Sequence, residues 1–252
     1  MIAWREKFVA FGVHFLATLV LAACAAALIF LIWYPPPFTR MLGGTQLFVL
    51  VVGIDLALGP LISLVIYDSR KSRRKLVMDY TIVGVIQIAA MIYGVWVMSA
   101  ARPVYVAFAV DRFEIVQAQQ LTPDELAAAS DPGYASLSWF GPRFVSVVVP
   151  QKDRMDAMFQ SLTGGVDIHL RPRFYVPFAQ GLPQIQKRAK EFPILGERHP
   201  EALADIDAAR REAGIPDEYQ RWLPVRHAKG FWTAVIDTRT GLPVSWIDLD
   251  PY

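Results

Sequence analysis

Three polar side chains lie inside long apolar stretches near the N-terminus, and their residue types could do chemistry there. They are His14, Asp55 and Gln87. A carboxylate inside an apolar helix costs about 3 kcal/mol to place in lipid, so such residues pair or line a functional interface. Asp55 therefore has two interpretations: a polar contact for another helix, or an internal hydrogen bond, for example to Gln87 or Thr45. We interpret His14 as a polar residue near the membrane interface. Proton transport would require a series of such groups across the membrane, and these three are too few for it.

The residues around Asp55 favour contact with a second helix. Gly53 and Gly59 permit two helix backbones to approach closely. Pro60 has no amide hydrogen, so a carbonyl one turn earlier loses its partner within the helix. We therefore predict a helix-contact site formed by Gly53, Asp55, Gly59, Pro60 and Gln87.

The remaining residues show no catalytic constellation. His169, His199 and His227 are scattered, and no cysteine follows Cys24, so the close spacing of a zinc motif is missing. The glycine-containing segments 141–143 and 164–165 lack the context of a phosphate loop, and no nucleophile-elbow motif is present. We predict a protein that is not an enzyme, with no catalytic residue, no metal ion and no cofactor.

The composition divides the chain into an apolar part and a water-soluble part. Hydrophobic residues make up 54% and charged residues 19% of the chain, whereas ordinary soluble proteins are about 25% charged. Residues 1–101 carry 8 Lys and Arg against 4 Asp and Glu, and residues 102–252 carry 17 against 19. These values exclude a disordered or fully soluble chain, and the near-neutral second part indicates no nucleic-acid binding.

Three apolar stretches predict an α-helical membrane anchor over residues 1–101. They cover about 8–33, 47–67 and 80–98, and each reaches the roughly 20 residues needed to cross a bilayer. Pro35, Pro36 and Pro37 separate the first two stretches, because a proline lacks the amide hydrogen that continues a helix.

The basic residues predict the orientation of this anchor. Arg5 and Lys7 precede the first stretch, and the loop between the first two has only Arg40. The cations between the second and third stretches are Arg70, Lys71, Arg73, Arg74 and Lys75. Basic residues in short loops stay cytoplasmic, so we predict a cytoplasmic N-terminus and a C-terminal domain that faces the periplasm or the cell exterior. The same basic run is a candidate contact for anionic lipid headgroups.

Residues 102–252 read as an α+β domain with an antiparallel sheet. The alternation over 104–110 predicts a strand that continues through 113–116, and 144–149 predicts a second strand. Thr122 begins a short helix with a capping box. Further helices are predicted over 153–162, 183–192 and 200–213, and a hairpin over 232–237 and 242–248. Segment 167–178 is predicted to be extended, and its prolines confine it to an edge.

Several blocks of sequence stand together as a recognisable set. The blocks are Trp33-Tyr34-Pro35, Gly44-x-Gln46-Leu47-Phe48, Gly53-Ile54-Asp55-Leu56-x-Leu58-Gly59-Pro60-Leu61, Ala101-Arg102-Pro103-Val104-Tyr105, Val110-Asp111-Arg112-Phe113 and Ile236-Asp237-x-x-Thr240-Gly241. Over nearly the whole chain they resemble the TfpX/TfpZ family of type IV pilin accessory proteins. The resemblance implies a non-enzymatic protein of the bacterial inner membrane, with its C-terminal domain in the periplasm, that helps a cognate major pilin to fold, persist or assemble.

The resemblance also implies a partner with two parts. A type IV major pilin before assembly has one transmembrane helix and a globular periplasmic head. The spans around Asp55 would contact the helix, and the 102–252 domain would contact the head, by strand addition at 167–178 or 242–248. Two linked contacts raise the effective affinity. Self-association of the anchor is a further expectation. The alternative function is a membrane-anchored extracytoplasmic sensor or ligand-binding protein that signals through a partner.

Overall fold

The structure is a computed structural model that describes residues 4–68 and 70–252. The chain forms two compact units, Met1–Ala100 and Ala101–Tyr252. We call the first the helical unit and the second the sheet domain.

The helical unit contains three long helices. Helix α1 (Trp4–Ala27) continues as a π-helix (Leu28–Trp33), a short α2 (Phe38–Met41) follows, and then come α3 (Gly44–Ile66) and α4 (Arg73–Ala101). By length and composition, α1 with its π-helical extension, α3 and α4 could each cross a membrane. Helix α4 begins earlier than the apolar stretch that predicts it, because the last three cations of the basic run form its first turn.

The helices pack closely at two levels. At one end, the Tyr34 hydroxyl donates a hydrogen bond to the Met98 carbonyl (2.9 Å). Deeper in the unit, a Cβ built on Gly94 would lie 2.5 Å from Val51 Cγ1, so the absence of a side chain at Gly94 permits this contact between α4 and α3. Large apolar side chains cover the outer surface, for example Leu31 and Val65, which are 77% and 81% exposed. Such a surface suits lipid and would be a liability in water.

The sheet domain is built on a seven-stranded sheet with the order β4-β3-β1-β2-β5-β6-β7. The strands are β1 (Pro103–Ala109), β2 (Arg112–Gln117), β3 (Arg143–Val147), β4 (Tyr175–Pro177), β5 (Gln220–His227), β6 (Gly230–Asp237) and β7 (Pro243–Ile247). Five short helices accompany them: α5 (Pro123–Ala127), α6 (Arg154–Leu162), α7 (Leu182–Arg188), α8 (Phe192–Arg198) and α9 (Leu203–Glu212).

The prediction of an antiparallel sheet was wrong, because the sheet is mixed. Strand β1 pairs in parallel with β3, and β2 pairs in parallel with β5. The other four pairings are antiparallel. Parallel pairs require crossover connections, and the helical segments between β2 and β3 and between β4 and β5 supply them. Every residue of β1 is buried, as expected for a central strand with both faces covered.

Three local predictions also differ from the structure. The segment 104–116 is a hairpin and not one strand, since the Asp111 amide donates to the Ala109 carbonyl (2.7 Å) around Val110, whose φ is 61°. In segment 167–178 only β4 is a strand, and 3-10 turns at Ile168–Leu170 and Pro172–Phe174 precede it. The helix predicted over 183–192 ends at Arg188, because Lys190 pairs with Trp222 in an isolated bridge.

Candidate functional site

Three polar side chains meet inside the helical unit, one from each long helix. His14 of α1 lies with Nδ1 2.5 Å from Ser63 Oγ of α3 and with Nε2 2.7 Å from Gln87 Oε1 of α4. Because the Gln87 oxygen can only accept, His14 Nε2 carries a proton and donates it. Thr18, one turn after His14, donates its hydroxyl to the His14 carbonyl (3.1 Å). We call His14, Ser63 and Gln87 the polar cluster.

Asp55 lies beside this cluster and is not satisfied by it. Asp55 is 7% exposed, and among the described residues its Oδ2 has no hydrogen-bond partner. Gln87 does reach Asp55, but Nε2 donates to the backbone carbonyl (3.4 Å) and not to the carboxyl. A buried polar atom without a partner costs about 1–3 kcal/mol, so this oxygen requires an explanation.

Asp55 lines a cavity of about 310 Å³ between α1 and α4. A second cavity of about 820 Å³ continues toward the N-terminus of α1, and both are lined by His14, Ala17 and Gly84. A Cβ built on Gly84 would meet no atom within 4 Å. We call the two cavities together the α1–α4 cleft. The smaller cavity has a mostly apolar lining, to which the buried Asp55 contributes.

The structure divides the five residues of the predicted helix-contact site. Gly59 and Pro60 are buried, and a Cβ on Gly59 would lie 2.0 Å from Gln87 Nε2, so Gly59 makes room for Gln87. Asp55 and Gln87 line the cleft. Gly53 is exposed on α3, where a Cβ would meet nothing within 4 Å.

His14 and Ser63 belong to the site although the sequence reasoning did not assign them to it. Asp55, Gly59 and Ser63 follow one another at intervals of four residues, which places them on one face of α3. His14 and Thr18 have the same spacing on α1. These intervals were the available signal, but they do not reveal which helix faces are adjacent.

The basic run lies at the end of the unit where α1 begins. Lys71 donates to the Ile66 carbonyl (2.9 Å) and pairs with Asp79 (2.7 Å), and Lys7 of α1 donates to the Leu64 carbonyl (3.0 Å). The remaining cations of the run are exposed: Arg70, Arg73, Arg74 and Lys75. One end of the helical unit therefore carries most of its positive charge.

The sheet domain has a separate cluster of charged residues around a cavity of about 230 Å³. Arg226 Nε lies 2.7 Å from Glu114 Oε2, and its Nη2 lies 3.2 Å from Asp167 Oδ2. Burial raises the pKa of Glu114, although Arg226 opposes the change. Burial lowers the pKa of the neighbouring His169 to about 4, and the positive charge of Arg226 contributes. The opposite charges neutralise one another, which fits a structural ion pair.

Neither unit contains an evident metal centre in the part described. Within residues 4–68 and 70–252, no group of three or more His, Cys, Asp or Glu side chains could hold a metal ion. His169 and Asp167 are the histidine and carboxylate closest to such an arrangement in the charged cluster, with Nδ1 and Oδ2 3.9 Å apart.

Strands β4 and β7 occupy the two edges of the sheet. They belong to the segments 167–178 and 242–248, which are the predicted positions for strand addition. An edge strand exposes backbone groups that a further strand can pair with. Both edges are therefore candidate contacts for an extended segment of a partner.

Comparison with known proteins connects the whole chain to one group. The profile of the fimbrial assembly protein FimB matches residues 2–43. The fimbrial assembly protein of serogroup I from Dichelobacter nodosus is 29% identical over 251 residues, covering 96% of this chain and 94% of the relative. The serogroup E1 protein of the same organism is 29% identical over 248 residues, with the same coverage. No solved structure matches.

A shorter relative is more similar in sequence. The fimbrial assembly protein of serogroups C1 and C2 from D. nodosus is 38% identical over 118 residues, which are 47% of this chain and 90% of the relative. These names agree with the role in pilus assembly that the resemblance implied, although they differ from the TfpX/TfpZ name. The chain therefore belongs to the FimB family of fimbrial assembly proteins.

Proposed function

We propose that this chain is an inner-membrane protein that binds a type IV major pilin and assists its stability or its assembly into pili, without catalysing a reaction. The observation that carries the proposal is the similarity to fimbrial assembly proteins, which extends over 96% of the chain and so includes both units. A pilin with a transmembrane helix and a periplasmic head would offer a partner to each unit.

Insertion in the membrane is supported by the surface of the helical unit. Its three long helices present apolar side chains outward, and its polar cluster points inward. This arrangement is the one expected where lipid and not water surrounds the helices. The cations at the end where α1 begins support a cytoplasmic N-terminus and a periplasmic sheet domain.

The exposed basic residues have a second role in the proposal. Arg70, Arg73, Arg74 and Lys75 are free to approach anionic headgroups of the inner leaflet. Each such contact contributes about 1 kcal/mol of attraction to an anionic surface. Replacing these four cations by glutamine should reduce the salt-dependent preference for anionic over zwitterionic nanodiscs.

Capture of the pilin tests the proposed function directly. Tagged full-length protein is co-expressed with its major pilin, extracted in mild detergent and purified by the tag. We expect the pilin to co-purify, and deletion of the accessory gene to lower pilin levels or surface piliation. Unchanged piliation together with absence of the pilin from the purified fraction would contradict the proposal.

The orientation requires its own measurement. Protease added to spheroplasts should remove the sheet domain, and a reporter enzyme that is active only in the periplasm should be active when fused after Tyr252. Protection of the sheet domain, or activity only from a cytoplasmic reporter, would overturn the proposed orientation while leaving pilin capture open to a separate test.

A further inference from the structure

The α1–α4 cleft has small residues in its lining that suit a site for another helix. Its two cavities amount to about 820 and 310 Å³ and share Ala17 and Gly84, one from each wall. Small residues on the facing sides of α1 and α4 permit the backbone of an additional helix, from a partner, to approach closely. Nothing in the described part of the chain lies within 4 Å of a Cβ built on Gly84, so that approach is open.

The polar groups of the cleft identify what this helix must carry. Both ring nitrogens of His14 and both amide atoms of Gln87 already have partners. The Thr18 hydroxyl donates to a backbone carbonyl. Within residues 4–68 and 70–252, Asp55 Oδ2 remains without a partner, although Asp55 is only 7% exposed. A hydrogen-bond donor from outside the unit would satisfy this oxygen.

We infer that the α1–α4 cleft receives the transmembrane helix of the pilin, and that Asp55 accepts a hydrogen bond from a polar side chain on that helix. The inference rests on the proposed function and deepens it by locating the helix and naming the chemistry that recognises it. A lipid acyl chain would fill the apolar wall but has no donor for the Asp55 carboxyl.

Tyr80 is a second residue of the cleft with a buried polar group. Its hydroxyl is also buried and has no partner among the residues that the structure describes, and Tyr80 lines the larger cavity. Tyr80 precedes Gln87 by seven residues on α4, which is about 10 Å along a helix. Headgroups or water can reach this level near the basic run, so Asp55 and not Tyr80 carries the inference.

Site-specific photocrosslinking in intact cells distinguishes the possible occupants. A photoreactive phenylalanine analogue replaces Met91, which lines the smaller cavity, or Ile54, which is 51% exposed on α3 away from the cleft. We expect a crosslink to the pilin helix from position 91 and none from position 54. A crosslink from position 91 to lipid or to a second copy of this chain would overturn the inference.

A matched pair of glycine substitutions tests the space itself. Gly84→Phe fills the cleft, whereas Gly12→Phe adds the same ring on α1 outside it, and neither new Cβ meets an atom within 4 Å. Gly84→Phe should abolish recovery of the pilin with the tagged protein, while Gly12→Phe should recover it as the wild type does. Equal recovery by both variants would show that the cleft is not the site.

Substitution of Asp55 tests the hydrogen bond. Asp55→Leu should lower pilin recovery about threefold to tenfold, the effect of one hydrogen bond between helices in a membrane. Asp55→Asn keeps a carbonyl acceptor and should retain most of the recovery. Because Asp55→Leu removes an unsatisfied buried oxygen, it should leave the melting temperature of the protein unchanged or higher, so the loss would not reflect unfolding. Undiminished recovery with Asp55→Leu would overturn the inferred contact.

The outcomes separate the two levels of the proposal. If the wild-type protein captures pilin but the cleft variants bind equally well, the cleft inference fails and pilin binding stands. If the wild-type protein captures no pilin under conditions where it remains folded, the proposed function fails and the inference fails with it.

Discussion

His169 is a buried histidine that should make the sheet domain sensitive to acid. Its side chain lies 10% exposed beside Asp167, near Glu114, Arg112 and Arg226. Burial and the charge of Arg226 lower its pKa from 6.5 to about 4. Between these two pKa values His169 is protonated in the unfolded chain but not in the folded domain, so the free energy of unfolding decreases as the pH falls.

The size of the effect follows from the two pKa values. A pKa lowered from 6.5 to about 4 corresponds to about 3 kcal/mol, which is lost completely only below pH 4. Between pH 7.5 and pH 5.0 the loss amounts to about 2 kcal/mol. For a domain of this size, that energy lowers the melting temperature by about 4–8 °C.

A histidine substitution separates this effect from the other titrating groups. The raised pKa of Glu114 acts in the opposite direction, because the folded domain binds the Glu114 proton more readily than the unfolded chain does. The contribution of Glu114 to the free energy of unfolding therefore increases as the pH falls. The difference between wild type and His169→Gln removes this contribution, because Glu114 is present in both proteins. Thermal unfolding of the full-length proteins in nanodiscs, followed by near-ultraviolet circular dichroism, measures the difference.

Two comparisons of melting temperature test whether His169 causes the acid sensitivity. The wild type should lose about 4–8 °C more than His169→Gln between pH 7.5 and pH 5.0. The control His199→Gln replaces a histidine that contacts Glu201 (3.3 Å) outside the charged cluster, and it should follow the wild-type curve. Parallel melting curves for the wild type and His169→Gln would refute the assignment of the acid sensitivity to His169.

Two further substitutions test the packing of each unit. Arg226→Met should cost about 2 kcal/mol, because it leaves the buried Glu114 carboxyl without its partner at 2.7 Å. The cost stays below that of a fully buried pair, since 39% of the Arg226 side chain is exposed. Adding Glu114→Gln should restore most of the melting temperature, and failure to do so would contradict the ion-pair assignment. Gly94→Ala should cost about 1–3 kcal/mol in detergent, because its Cβ would lie 2.5 Å from Val51 Cγ1. The control Gly53→Ala should be neutral or stabilise by up to about 1 kcal/mol, because alanine favours a helix and the new Cβ meets no described atom within 4 Å. Equal melting temperatures for the two variants would show that the helices do not pack as described.

The sheet topology was only partly predictable. Alternating residues marked β1, β3 and the hairpin of β6 and β7, because each side chain pattern depends on the strand itself. Strand β5 escaped prediction because Pro224 lies in its middle, and proline is normally confined to edges. In the structure, β5 pairs fully with β6 but with β2 only at two positions, which leaves room for the missing amide hydrogen.

The residues of the candidate site were also only partly predictable from the sequence. Asp55 and Gln87 were identifiable because polar residues are conspicuous in apolar stretches. The grouping with His14 and Ser63 was not identifiable, because helical periodicity defines a face but not the neighbour that the face meets. The same limitation led to the inclusion of Gly53, which lies on the exposed side of α3.

Length, hydropathy and charge were sufficient to determine the three apolar helices and the concentration of cations at one end of the helical unit, because these properties depend on local composition. Only the tertiary structure decided that the sheet is mixed and that Asp55 lines a cleft, with its Oδ2 unpartnered in the part of the chain that the structure describes. Strand pairing and the direction of a buried side chain depend on contacts between residues far apart in the chain, and no local pattern specifies those contacts.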